Sequence, residues 1–399
     1  MTDPTRLSHA RRATRLHFLA LGIVAGVWGV HVPSVKATYA LDERGLAGVL
    51  LATSVGSVLA LFVAGRLVGR LGTRHATVVA ALAFTIALAV ALHLPGLALL
   101  LPVMVLFGAG ESVYDVSINA EGTALEVMSQ RPIVSGLHGM FSAGAMLGSA
   151  TAAAMLRAQV TPSVQLALVA ISVALLVTVS ARWLLTERVV ATSDAAHFVW
   201  PSGTLLLLGI LVMSGMMAEG VMYNWSVLYV AQELHTPQEQ AALAYVAFAG
   251  ATAATRFIGD AIRARVSERV ILLVGPLLSA IAMTLVLWVA RPWAAYVGFA
   301  VVGAGLATIV PILYTASTRI PGVSRAAAIA SVSSIGYLGF MIGPPIIGGI
   351  AHATTLTLAM GTLVVASVVV AVGAMRVPMP RSEGRAEAQP HTAAPIHGG

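Results

Sequence analysis

Twelve apolar runs dominate the chain, divided by charged or Pro/Gly-rich breaks. In the first half they fall at about 16–38, 47–68, 76–94, 97–121, 133–157 and 162–185. In the second half they fall at about 202–231, 239–260, 269–290, 293–315, 324–351 and 354–376. Each is close to the roughly 20 residues that a helix needs to cross a bilayer core. The pattern predicts an all-α membrane protein of twelve transmembrane helices. Residues 1–15 form a cytoplasmic N-terminus, 16–185 one six-helix half, 186–201 a polar cytoplasmic linker and 202–376 a second half. Residues 377–399 have no apolar period and read as a disordered cytoplasmic tail. The basic start and apolar core of the opening stretch resemble a signal peptide, but the run continues past Trp28 and eleven more spans follow. An uncleaved first helix is expected.

Composition narrows the function classes. Of 399 residues, 58% are hydrophobic and 10% charged, against about 25% charged in a soluble domain. No polar stretch is long enough for a large extramembrane catalytic domain. The absence of cysteine excludes disulfide scaffolds, thiolate metal sites and cysteine nucleophiles. A net charge of +7 would suggest nucleic acid in a soluble chain, but the arginines are sorted by side. With the N-terminus inside, 19 of the 23 basic residues lie in cytoplasmic segments, leaving Lys36, Arg44, Arg157 and Arg291 outside. This predicts a multi-pass protein of the cell inner membrane with both termini in the cytoplasm. Its basic loops face anionic headgroups rather than nucleic acid.

The two halves repeat each other. Gly108-Ala109-Gly110 recurs as Gly303-Ala304-Gly305, and Gly144 and Gly148 match Gly339 and Gly343, all at an offset of 195. The stretch RLVG at 66–69 recurs as RFIG at 256–259, offset by 190. Matches in the same helices of two six-helix sets predict parallel, pseudo-symmetric halves.

Residues 65–74, GRLVGRLGTR, resemble the major facilitator loop signature G-x-x-x-D-R-x-G-R-[RK], with Gly69 where the family carries Asp. The second-half copy, Arg256 to Gly259, keeps an acid at Asp260. The resemblance implies a cytoplasmic gate formed by Gly65, Arg66, Gly69, Arg70, Gly72, Arg74, Arg256, Gly259 and Asp260. In such a gate, glycines let helix ends approach, while arginines meet helix C-termini and carboxylates across the halves. A tight turn flanked by positive-inside residues is the alternative.

Helices 4 and 5 carry a second motif: Glu111, Asp115, Asn119 and Gly122, then His138, Gly139, Ser142 and Gly144. It resembles the fucose-permease-like branch of the major facilitators, closest to a small bacterial inner-membrane subgroup. The resemblance implies that Asp115 serves proton coupling or sugar recognition, with Asn119 as its polar neighbour. That branch's helix-1 acid has no counterpart, since helix 1 offers Trp28, His31 and Pro33 instead. Fucose itself is therefore not supported.

The acids also stand out without any family. Glu111, Asp115 and Asn119 are spaced i, i+4, i+8 and share one helix stripe. A carboxylate in hydrocarbon costs about 2.5–3.5 kcal/mol, so each must face a cavity or a partner. Two close like charges do not both stay ionised cheaply, which suits a group that loads and releases a proton. Helix 7 adds Glu219 with Tyr223, Asn224 and Trp225, read either as cavity residues or, for the aromatics, as an interfacial belt. His138 and Ser142 share a face of helix 5, and Pro344-Pro345 predicts a break in helix 11. No catalytic motif, metal-ligand spacing or cofactor fingerprint is present.

The expected function is a monomeric secondary transporter, not an enzyme, moving a sugar-like or other polar metabolite by alternating access with proton coupling. Asp115, Glu111 and Glu219 are the proton-coupling candidates. Asn119, His138, Ser142, Trp28, His31, Tyr223, Asn224 and Trp225 are the substrate-binding candidates. A proton-antiporting drug or metabolite exporter, or a non-transporting membrane sensor, are the alternatives.

Overall fold

The computed structural model describes residues 4–130, 133–185 and 200–377. Most of the predicted linker and nearly all of the predicted tail therefore lie outside the described residues, as do Arg131 and Pro132. The N-terminal half contains α1 (Pro4–Thr38), α2 (Glu43–Leu71), α3 (Thr73–Val90), α4 (Leu97–Ser129), α5 (Val134–Arg157) and α6 (Pro162–Ser180). The C-terminal half contains α7 (Gly203–Gln232), α8 (Gln238–Arg265), α9 (Glu268–Val289), α10 (Pro292–Leu306), α11 (Ile309–Ser317), α12 (Arg325–Ala353) and α13 (Leu356–Ala374). Among the described residues there are twelve helical stretches long and apolar enough to cross a membrane, with α10 and α11 sharing one of them. An even number of spans brings the start of α1 and the end of α13 to one face, called here the terminal face.

Local chemistry sets the boundaries. Asp42 caps α2 by accepting the Gly45 N–H at 2.7 Å, and Ser324 and Thr355 cap α12 and α13 in the same way. Pro162 and Pro292 open α6 and α10, where a missing N–H removes no helical bond. A single residue, Gly72, joins α2 to α3 at φ +79°, a conformation that a side chain would strain.

Three elements differ from the hydropathy reading. First, α1 begins at Pro4 rather than near residue 16, because no breaker interrupts it. Its early turns bury Ala10 against Leu125 and Leu185, and Ala13 against Ala181 and Leu184. Second, the tenth span is interrupted between Leu306 and Ile309. Pro311 has no N–H to offer the Ala307 carbonyl one turn earlier, which frees that oxygen for another donor. Third, α12 is continuous through Pro344 and Pro345, where the sequence suggested a break. Pro344 leaves the Phe340 carbonyl without its helical partner, and Ser54 of α2 donates to it at 3.1 Å. A hydroxyl from the other half thus satisfies the freed group.

The repeated glycines make equivalent contacts in each half. A Cβ on Gly108 would collide with the Thr53 carbonyl of α2, and one on Gly303 with the Phe248 carbonyl of α8. Gly110 packs against Phe84 of α3 and Gly305 against Gly275 of α9. Gly144 faces the Leu19 carbonyl of α1, and Gly339 the Met213 carbonyl of α7. Small residues let backbones touch where lipid supplies no hydrophobic drive for association. The halves meet through α5 with α8, α2 with α12 and α1 with α7.

Gly108→Val and Gly303→Val should each destabilise the detergent-solubilised protein by about 1–3 kcal/mol, the usual cost of overpacking. Gly69→Ala, which would meet open space inside a helix, should instead raise the thermal unfolding midpoint slightly, from about 0.5–1 kcal/mol of stabilisation.

Candidate functional site

The halves enclose a cavity of about 620 Å³. Its walls reach Val134 and Ser135 in the first turn of α5 and Asp260 and Arg263 near the end of α8, all at the terminal face. Towards the opposite face they stop at Trp28, Leu50, Phe107 and Asn224. The cavity is therefore open at one face and closed at the other.

Closure at the opposite face is made by polar contacts across the halves. Gln238 of α8 donates to the Val30 carbonyl at 2.7 Å and to Ser34 Oγ at 2.9 Å, both on α1. Lys36 pairs with Glu43 and also donates to Gln232 of α7 at 3.1 Å. His352 of α12 lies 3.2 Å from Asp42. The Gly45 N–H accepted by Asp42, with His352 and Arg44 nearby, holds that exposed carboxyl below the usual range.

Arg256 of α8 is the centre of the site. Its Nη2 lies 3.3 Å from Glu219 Oε1 of α7, with the two side chains only 13% and 12% exposed. Its Nη1 donates to Ser142 Oγ of α5 at 2.7 Å. Its Nε donates to the Ala307 carbonyl at 3.2 Å, the oxygen that Pro311 sets free. One guanidinium thus joins three spans of the C-terminal half to one of the N-terminal half. Arg256 was expected at the gate. It sits nine residues before the end of α8, about 13 Å inside at 1.5 Å per residue, and belongs to the cavity.

Across from it, Glu111 and Asp115 line the cavity from α4. Asn119 Nδ2 donates to Asp115 Oδ1 and to the Asp115 carbonyl, both at 2.9 Å, so Asn119 positions the acid without lining the cavity itself. Glu111 makes no hydrogen bond or ion pair among the described residues. Trp28, His138, Tyr223 and Asn224 also line the cavity. The Phe18 ring meets His138 edge-on at 5.4 Å.

Other expected residues lie elsewhere. His31 is fully buried between Ser34 Oγ at 3.1 Å and Gln165 Oε1 at 3.0 Å, part of the closed face rather than the cavity wall. Trp225 is also fully buried, and its indole N–H has no acceptor among the described residues. Gly65, Gly69 and Gly72 would meet nothing with an added Cβ. Arg66, Arg70, Arg74 and Asp260 make no ion pair among the described residues, because the terminal face is open and the helix ends there stand apart. Gly259 makes only ordinary contact, with Thr308.

Some cavity residues had no sequence signal. Tyr314, Tyr337 and Phe340 come from runs of ordinary span composition, and Ser54 from an apolar helix. Among the described residues, no group of three or more His, Cys, Asp or Glu side chains is placed to hold a metal.

The Major Facilitator Superfamily family model matches residues 205–397. An uncharacterized MFS-type transporter of Yersinia pestis is 32% identical over 368 residues, covering 92% of this chain and 95% of that one. The xylose transporter XylE from E. coli, in an inward-open conformation, superposes with a TM-score of 0.74 at 15% identity, covering 95% of this chain and 98% of that one. The E. coli fucose:proton symporter FucP gives 0.64 at 13% identity, covering 92% and 98%. The two structures share the fold.

Removing one partner of a buried ion pair strands the other, a loss of about 3–5 kcal/mol. Arg256→Ala should therefore unfold at a markedly lower temperature than the parent protein. The double variant Glu219→Gln with Arg256→Met should recover part of that loss.

Proposed function

This chain belongs to the major facilitator superfamily, and we propose that it moves a small polar molecule, sugar-like or another metabolite, across the inner membrane by proton-coupled alternating access. The observation that carries this reading is a cavity between the two halves, open at one face, with two acids on one wall that have no cationic partner among the described residues. A carboxylate in that setting can load a proton from one side and release it to the other as the halves rock.

Asp115 is the main proton carrier in this reading, because Asn119 fixes its carboxylate towards the cavity. Glu111 lies one turn away and Glu219 is held by Arg256. Rocking that separates α5 from α8 would pull Arg256 from Ser142 and free Glu219 to titrate as well. His138, Tyr223 and Asn224 offer the substrate hydrogen-bonding groups, and Trp28 an aromatic face. The arginine count supports the terminal face as cytoplasmic, which makes the cavity inward-open and the closed face periplasmic. The arginines of residues 66–74, which make no ion pair among the described residues, are then a gate that closes when the halves rock the other way. The chain acts as a monomer, each copy holding its own cavity.

In proteoliposomes with an imposed pH gradient, screened against a panel of sugars and polar metabolites, the protein should accumulate at least one compound. Asp115→Asn should abolish that accumulation and preserve exchange of the same compound. Unchanged pH-driven accumulation in this variant would overturn the assignment of Asp115.

A further inference from the structure

The charge balance of the cavity narrows the substrate class. Two arginines line it: Arg256 pairs deep in the cavity with Glu219 at 3.3 Å, while Arg263, near the mouth beside Asp260, shares Glu268 with Arg319, each at 2.7 Å. Deep in the cavity this leaves Glu111 and Asp115 without a cation among the described residues. Asp115 at least accepts from Asn119, whereas Glu111 accepts from nothing among the described residues. An ionised carboxylate away from bulk water needs a counter-charge.

The surroundings of Glu111 fit a cation from outside the chain. Phe107 is one helical turn from it on the same face of α4, and the Phe107 and Trp28 rings pack 5.5 Å apart on the cavity wall. Aromatic faces attract an ammonium group, Trp most strongly. The Tyr245 ring, packed 6.2 Å from that of the cavity-lining Tyr223, is fully buried, and its hydroxyl has no partner among the described residues.

We infer that the transported molecule is a small organic amine, held with its ammonium against Glu111 and its ring or carbon face against Trp28 and Phe107. The inference rests on the transport reading above and deepens it. Asp115 keeps the proton, while Glu111 takes the substrate's charge, so the two acids divide cation and proton between them. Arg256 and Glu219 complete the opposite wall as a neutral pair, which adds no repulsion for a cation.

Matched pairs that differ in charge test this directly on the purified full-length protein. Glucosamine with glucose, and phenethylamine with 2-phenylethanol, are titrated by calorimetry at pH 7.5. In at least one pair the amine should bind about tenfold tighter or more, the range of a charge-assisted hydrogen bond. Glu111→Gln should bring that ratio close to one, with Glu239→Gln, an acid outside the cavity, as a control that leaves the ratio unchanged. Equal affinity within every pair, tighter binding of the neutral members, or binding of no amine would overturn the inference. Failure of the substrate class and failure of the transport reading remain distinct. If neutral members bind and are carried in proteoliposomes, the amine assignment alone falls; if nothing is bound or carried, both fall.

Discussion

A polar group within the apolar layer must find its partner inside the protein, and this requirement organises the structure around Arg256. A guanidinium at that depth is tolerated because each of its nitrogens is used, on Glu219, Ser142 and a carbonyl released by Pro311. The same rule explains α12, where Ser54 satisfies the carbonyl freed at Phe340 and the helix runs on through two prolines. In both places a proline in one half creates an acceptor, or a donor crosses between halves to reach one. The polar contacts that stabilise the spans are thus also contacts between the moving parts.

The asymmetry between the two faces follows from how these contacts are distributed. At the opposite face Gln238, Lys36 and His352 link α8, α7 and α12 to the N-terminal half. At the terminal face the arginines of residues 66–74 and Asp260 have no such partner among the described residues. Individually these are exposed or partly exposed interactions of modest strength, screened by water. A small set of them can be exchanged for another set at the other face at little net cost, which a two-state carrier needs. The glycine crossings inside each half, by contrast, are backbone-to-backbone contacts that cannot open gradually. Rigid halves with a weakly tied interface result.

Much of this was readable from the chain. Hydropathy marked the spans because lipid penalises any long polar run, and the repeated glycines at 108 and 303 mark the same crossing in each half. The stripe of Glu111 and Asp115 was visible because acids are rare within spans. What could not be read depended on distant partners. His31 has the look of a binding residue until Gln165, 134 positions away, is seen to occupy its ring nitrogen. The break predicted at Pro344 is cancelled by Ser54, 286 positions from the Phe340 carbonyl that it satisfies. Arg256 sits within a gate-like motif in sequence, but the depth of its helix turn and the oxygen freed by Pro311 draw it into the cavity.

The central claim is that two rigid halves rock about the cavity, so that one face opens as the other closes. The chain contains no cysteine, so spin labels can be placed without background. Pairs at Leu71→Cys with Val266→Cys on the terminal face, and at Ala40→Cys with Thr354→Cys on the opposite face, report the two openings by double electron–electron resonance between pH 8 and pH 5. Reciprocal changes are expected, with the terminal pair shortening as the opposite pair lengthens. Distances that stay fixed across this range, or that lengthen and shorten together, would contradict a rocking, proton-linked carrier.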